Sequence, residues 1–220
     1  MTIDDPLPAP LANAHTIAIV LPSWVGDTVM ATPALRAIRA ALPQAKLFGI
    51  MRPGLEEILR GTTWLDQLIA CDFKSVSGPW RVSRAIRSSG GADAILLFPN
   101  SLRSALAARL SGTPVRIGYD RDSRGWLLTH RVPPPAAKPV AAVQYYADLA
   151  QFALGIQCVD LRIELSCTQE ELSEADRILD GVSHPFIVLN PGANRADKRW
   201  PADHFAAVAD SLASSHHLSI

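Results

Sequence analysis

The stretch TIAIVLPSWVGDTVM (residues 16–30) joins a short apolar run to a turn and then to the start of a helical pattern. Residues 16–21 are apolar almost throughout, which is typical of a parallel strand that is covered on both faces. Within 28–42, apolar side chains recur at helical spacing and predict an amphipathic helix. A buried strand that leads through a turn into such a helix is the repeating unit of an α/β protein.

The same alternation continues along the chain. The predicted strands are 16–21, 46–51, 67–70, 94–98, 115–118 and 186–190. The predicted helices are 28–42, 54–60, 79–89, 101–110, 143–154, 169–180 and 202–214. Strands that alternate with helices in this way predict an α/β fold with an open, doubly wound parallel sheet.

Proline-rich segments suggest where the domains begin and end. The first 14 residues are acidic and proline-rich, and they are predicted to form a flexible leader. The segment RVPPPAAKP (131–139) is expected to be irregular, and a new strand-turn-helix unit begins at Phe186. The sequence therefore predicts a complete domain in 15–165 and the opening of a second in 166–220, as if cut from a longer protein.

Composition and charge exclude several classes of protein. The chain has 220 residues, of which 48% are hydrophobic and 19% charged, so it can bury a globular core. No apolar run reaches the length of a transmembrane helix, and the three cysteines lack metal-ligand spacing. The formal net charge is zero, yet residues 74–138 contain eleven Lys and Arg against three Asp. This excess predicts either a surface that faces an anionic partner or an ordinary solvated surface, whereas the neutral total argues against nucleic-acid binding.

The turn after the first predicted strand carries the first candidate site. Ligands of open parallel sheets bind beyond the carboxyl ends of the strands. Asp27 has two interpretations there: an N-cap of the following helix, or a general base held at a ligand crevice. Gly26 would permit a tight turn. Trp24 could belong to the core or provide a platform for a sugar ring.

Two further loops occupy equivalent positions after strands. NPGANRADKRWP (190–201) combines Gly192 and Asn194 with the cationic Lys198, and it is either a phosphate cradle or a solvated basic loop. The second loop contains Asn100 and Ser101, either of which could cap the next helix, and is followed by Arg103 near the crevice. Four more side chains of interest follow, namely Arg116, Tyr119, Arg121 and Arg124.

Three motifs resemble the ADP-heptose:lipopolysaccharide heptosyltransferases of glycosyltransferase family 9, and the heptosyltransferase II-like branch fits best. The motifs are LPSWVGDTVMATPALRAIRAALPQAKL, LLFPNSLRSALAARLSGTPVRIGY and LNPGANRADKRWPADHFAAVA. The resemblance implies a GT-B fold, in which two Rossmann-like domains face each other. The N-terminal domain would take the acceptor and the C-terminal domain the nucleotide sugar.

The resemblance also implies roles for individual residues. Asp27 corresponds to the candidate catalytic base of the family, and Lys198 to a residue that contacts the donor diphosphate together with the loop of Gly192. Asn194 stands where some members have a hydroxyl residue. On the acceptor side the resemblance places Asn100, Ser101 and Arg103.

The implied activity is inverting transfer of heptose from ADP-L-glycero-D-manno-heptose to the inner core of lipopolysaccharide. It would require no metal and no cofactor. The implied partners are the nucleotide-sugar donor and an anionic lipid-linked acceptor, with the enzyme in the cytoplasm at the inner face of the membrane. Three alternatives stay open: a family member with another nucleotide sugar or acceptor, a non-catalytic nucleotide- or glycan-binding protein on this scaffold, and a sugar-nucleotide epimerase.

Overall fold

The computed structural model describes residues 9–73, 75–135, 140–156, 159–193 and 195–216. The chain divides into two compact units, Met1–Cys167 and Thr168–Ile220, and each is described by itself. Among the described residues, no helix is long and apolar enough to span a lipid bilayer.

The first unit is built on a six-stranded sheet whose strands all pair in parallel. The strands are β1 (Thr16–Val20), β2 (Lys46–Met51), β3 (Gln67–Ala70), β4 (Ala94–Leu97), β5 (Val115–Tyr119) and β6 (His130–Val132). The helices are α1 (Val25–Met30), α2 (Thr32–Ala41), α3 (Gly78–Ser88), α4 (Leu102–Leu110) and α5 (Ala142–Leu154), with 3-10 turns at Glu56–Leu59 and Gly125–Leu127. The strand order is β3-β2-β1-β4-β5-β6, so the predicted doubly wound α/β fold is confirmed.

The sheet has a hydrophobic core on each of its two faces. Strand β1 supplies side chains to both, because successive residues of a strand point to opposite faces of the sheet. Ile17 and Ile19 pack on one face against α2 and α5. Ala18 and Val20 pack on the other face against α3 and α4. These four side chains are at most 1% exposed, which explains why the strand is apolar throughout.

The predicted helix over 28–42 is two helices in the structure. The break follows from Pro33, which has no backbone N–H to donate to the carbonyl of Val29, four residues earlier. The Thr32 hydroxyl donates to that carbonyl instead, at 2.8 Å. The chain therefore ends α1 at Met30 and begins α2 two residues later.

Strand β6 was not predicted from the sequence. Arg131 and Val132 belong to β6, so the prediction of irregular structure over 131–139 is wrong for these two residues. A three-residue strand has too short a pattern to be recognised from sequence, and the prolines that follow it cannot extend its pairing. Residues 136–139 lie outside the described part of the chain.

The end of the leader is part of the fold. Leu11 is fully buried in the core beside α5, and its backbone N–H donates to the carbonyl of Ala153 at 3.0 Å. The expectation of a flexible leader over 1–14 is therefore wrong for residues 9–14, because one apolar side chain anchors them. Residues 1–8 lie outside the described part of the chain.

The second unit contains two helices, α6 (Gln169–Ile178) and α7 (Ala202–His216), and a 3-10 turn at Ala196–Lys198. A capping box begins α6, in which Thr168 and Glu171 satisfy each other's backbone N–H groups. The predicted strand 186–190 is not assigned as a strand, and only Phe186 forms an isolated bridge. A strand is defined by a hydrogen-bonded neighbour, which residues 187–190 do not have among the described residues.

Candidate functional site

The candidate site lies where the strand order reverses. The chain runs from β1 outward through β2 to β3, and then returns to place β4 on the other side of β1. In open α/β sheets the crevice for ligands forms at this switch point, outside the carboxyl ends of the two central strands. The loop after β1 carries Asp27, and the loop after β4 carries Asn100 and Ser101.

Asp27 is the third residue of α1 and is half-buried. The N-cap of the helix is Trp24, which makes no side-chain capping bond, so the interpretation of Asp27 as an N-cap is wrong. The helix begins at Val25, three residues earlier than that interpretation requires. Among the described residues, no hydrogen bond or ion pair to the Asp27 carboxylate occurs, so its oxygens are available to a ligand.

The residues around Asp27 fix the turn. The Thr28 side chain is fully buried, and its hydroxyl donates to the carbonyl of Trp24 at 3.0 Å. Gly26 lies inside α1 and a Cβ there would meet nothing within 4 Å, so neither a strained backbone nor a close approach requires glycine. Trp24 is 62% exposed, which excludes a core role.

Helix α5 brings two tyrosines to this end of the sheet. Burial, and then the nearby charge of Asp27, raise the pKa of the Tyr146 phenol. The ring of Tyr146 packs against Phe98 at a centroid distance of 5.2 Å and against the edge of Tyr145 at 5.8 Å. Asp27 therefore lies beside an aromatic cluster formed by the end of β4 and by α5.

Tyr145 connects this cluster to the loop after β4. The Asn100 amide nitrogen Nδ2 donates to the Tyr145 hydroxyl at 2.8 Å, and that hydroxyl lies 3.1 Å from the Asn100 Oδ1. The ring of Tyr145 stacks on Tyr119 of β5 at 4.1 Å, and the Tyr119 hydroxyl donates to the Tyr145 carbonyl at 2.7 Å. These contacts hold Asn100 at the switch point, where it stays half-buried.

Ser101 and Arg103 have other partners. The Ser101 side chain is the N-cap of α4 and accepts the backbone N–H of Ser104 at 3.2 Å, which confirms the capping interpretation. Arg103 is exposed, and its Nη1 donates to the carbonyl of Ser75 at 3.3 Å. Ser101 thus shapes the loop, whereas Arg103 adds positive charge between the loops that follow β3 and β4.

The second unit carries the cationic loop. The backbone N–H of Gly192 donates to the Asn190 Oδ1 at 3.2 Å, so this N–H already has a partner inside the loop. Lys198 ends the 3-10 turn and is exposed, and among the described residues it has no carboxylate partner. Arg195 is instead paired with Asp197 at 2.7 Å. Asn194 lies outside the described residues.

A family model described as "Glycosyltransferase family 9 (heptosyltransferase)" matches residues 80–218. The chain belongs to glycosyltransferase family 9. It is 27% identical over 209 residues to lipopolysaccharide heptosyltransferase 2 of Escherichia coli K12, a match that covers 89% of this chain and 60% of the relative. The resemblance of the three sequence motifs to this family is therefore confirmed.

Solved structures of family members share the fold. The E. coli ADP-heptose LPS heptosyltransferase II superposes with a TM-score of 0.73 at 27% identity, over 90% of this chain and 61% of that one. A glycosyltransferase of family 9 from Veillonella parvula superposes with a TM-score of 0.78 at 23% identity, over 91% and 60%. The chain thus spans about 60% of the length of the curated relatives that it matches.

The capping role of Ser101 predicts different effects of two substitutions on stability. The change Ser101→Ala removes the acceptor for the Ser104 N–H and should lower the free energy of unfolding by about 1 kcal/mol. Ser101→Asp, which restores a capping oxygen, should keep wild-type stability. Urea unfolding measures both, and equal loss of stability in the two variants would contradict the capping role.

Proposed function

We propose that the protein is an inverting glycosyltransferase that moves heptose from ADP-L-glycero-D-manno-heptose to the inner core of lipopolysaccharide. The proposal rests on Asp27, which is half-buried at the switch point of the sheet in a member of family 9. Among the described residues, no hydrogen bond or ion pair engages its carboxylate. The names of the relatives, lipopolysaccharide heptosyltransferase 2 and ADP-heptose LPS heptosyltransferase II, support this choice of donor and acceptor.

In the proposed mechanism Asp27 is the general base. Its carboxylate takes the proton from an acceptor hydroxyl while that oxygen attacks the anomeric carbon of the heptose. The bond from the anomeric carbon to the diphosphate oxygen breaks with its electron pair, and ADP leaves from the opposite face. One displacement therefore inverts the configuration, and the proton ends on Asp27.

Lys198 has the complementary role in this proposal. Negative charge grows on the diphosphate as the glycosidic bond breaks, and a fixed cation stabilises that charge in the transition state. Lys198 is exposed and, among the described residues, is not neutralised by a carboxylate, in contrast to Arg195 of the same loop. Gly192 and Asn194 complete the proposed diphosphate loop.

The exposed face of α3 is proposed to contact the membrane that holds the lipid-linked acceptor. Trp80 is 53% exposed, and the guanidinium of Arg84 lies over its ring at 5.6 Å from the centroid. Arg81 is also exposed, and the helix carries no acidic residue. An indole beside arginines is suited to the interface of an anionic bilayer. This contact would keep the enzyme at the cytoplasmic face of the inner membrane.

The change Asp27→Asn should lower kcat by about 10²–10⁴-fold, because an amide cannot accept the acceptor proton at this step. Binding of ADP, measured by calorimetry, should remain. The matched control is Asp203→Asn, which changes the first-turn aspartate of α7 and should leave kcat intact. Near-normal turnover in Asp27→Asn would rule out the general-base role.

The change Lys198→Ala should weaken ADP binding by about tenfold or more, because one charge-assisted contact to the diphosphate is lost. Calorimetric titration with ADP measures this effect. Arg195→Ala in the same loop is the control, since Arg195 is already paired with Asp197. The diphosphate role is wrong if the two variants bind ADP equally well and as tightly as the wild type.

The double change Trp80→Ser and Arg84→Gln should reduce co-sedimentation with vesicles that contain phosphatidylglycerol. Vesicles of phosphatidylcholine alone should bind little of either protein, because the surface charge is missing. Arg177→Gln, which removes an arginine paired with Glu174 in the second unit, is the control. Unchanged binding of the double variant to anionic vesicles would exclude α3 as the contact surface.

A further inference from the structure

Arg124 is a buried cation that makes no ion pair among the described residues, although the nearby carboxylates of Asp122 and Asp120 favour its charged form. Its side chain is fully buried, and burial lowers the pKa of its guanidinium to about 10. Every hydrogen bond that it donates goes to a neutral oxygen. Burying a charge costs free energy unless hydrogen bonds and nearby charges compensate it, so this guanidinium constrains the position of the oxygens that accept from it.

The hydrogen bonds of Arg124 converge on the loop after β4. Its Nη1 donates to the carbonyl of Pro99 and lies 3.3 Å from the hydroxyl of Ser104, while its Nε donates to the carbonyl of Tyr119 at 3.1 Å. A Cβ on Gly118 would lie 3.0 Å from Nη2, so a larger residue there would press on the guanidinium. The fork of Arg124 therefore ties the end of β5 to the loop that carries Asn100.

The same guanidinium fixes the orientation of the Asn100 amide. Arg124 Nη2 donates to Asn100 Oδ1 at 3.3 Å, and Asn100 Nδ2 donates one N–H to the Tyr145 hydroxyl at 2.8 Å. The reversed amide would turn its N–H groups toward a cation, which is unfavourable. One N–H of Nδ2 is left without a partner among the described residues, on a half-buried side chain at the switch point.

We propose that Arg124 is a positioning residue that holds and polarises the Asn100 amide, so that its remaining N–H donates to an oxygen of the acceptor saccharide. The positive charge draws electron density toward Oδ1 and strengthens the N–H as a donor, as expected for linked hydrogen bonds in a poorly solvated site. Asn100 would thereby select an acceptor that offers a hydrogen-bond-accepting oxygen at this position. The inference rests on the proposed glycosyl transfer, since it assigns the acceptor to this edge of the sheet.

The test compares Arg124→Lys, Asn100→Ala and the double variant in the intact protein. The acceptor probe is a deacylated, phosphorylated lipopolysaccharide core saccharide. Lysine keeps the charge but loses the fork that reaches Asn100 and the loop carbonyls together. Arg124→Lys should raise KM for the acceptor about tenfold and leave KM for the donor unchanged. Arg121→Lys, in the same loop but exposed, is the control and should behave as the wild type.

Positioning through Asn100 predicts that the effects are not additive. The double variant should be no worse than Asn100→Ala alone, because Arg124 acts on the acceptor only through that amide. Additive effects, or a lower kcat with both KM values unchanged, would overturn the inference and leave Arg124 a structural residue. If Arg124→Lys does not fold, Tyr145→Phe replaces it. That variant keeps the ring stack on Tyr119 and should raise acceptor KM about threefold to tenfold, because the hydrogen bonds between the Tyr145 hydroxyl and the Asn100 amide are lost.

A binding measurement separates this inference from the proposed reaction. Calorimetric titration of the same saccharide into wild-type and Arg124→Lys protein reports acceptor affinity without turnover. Weaker binding by the variant supports the positioning role even if no transfer is observed, in which case only the proposed activity fails. Equal binding by both proteins, or no binding by the wild type, overturns the positioning role.

Discussion

The structure of the first unit depends on the parallel pairing of β1 with both β2 and β4. Residues Ile17 to Val20 pair with β4 on one side while Thr16 to Val20 pair with β2 on the other. This double pairing satisfies both edges of the strand, and helices on the two faces of the sheet bury its side chains in two separate cores. It also makes the strand order reverse beside β1, and that reversal opens the crevice in which the candidate site lies.

The candidate site is assembled from segments that are far apart in the sequence. Asp27 follows β1, Asn100 follows β4, and Arg124 follows β5, while Tyr145 and Tyr146 come from α5. The charge of Asp27 acts on Tyr146, whose ring contacts Tyr145. Hydrogen bonds continue from Tyr145 to Asn100 and from Asn100 to Arg124. The sheet supplies a rigid base, and loops at one edge present the polar groups that the chemistry needs.

The sequence was sufficient to predict the sheet because long apolar runs mark buried parallel strands. The bounds of β2 and β3 agree with the predicted 46–51 and 67–70, and only the three-residue β6 was missed in the first unit. Local patterns were less reliable where one residue decides the outcome. The apolar spacing over 28–42 predicts one continuous helix, but Pro33 divides it into two. The composition of residues 1–14 predicts flexibility, but the buried side chain of Leu11 anchors residues 9–14.

The prediction of the site was limited for a different reason. Asp27 and Asn100 follow strands directly, so their position at the sheet edge could be inferred from sequence order. Tyr145 and Tyr146 could not, since aromatic residues in an apolar helix carry no signal for a site about 120 residues away. Arg124 was recognised only as one of several arginines after β5, because charge patterns do not show which arginine is buried.

The central claim, that Asp27 acts at this crevice in a single displacement, is tested most directly by the stereochemistry of the product. The intact protein would be incubated with ADP-L-glycero-D-manno-heptose and a lipopolysaccharide core acceptor, and the new glycosidic linkage would be assigned by NMR. A single displacement should give one added heptose whose anomeric configuration is opposite to that of the donor. A product with the configuration of the donor retained, or no product at all, would contradict it.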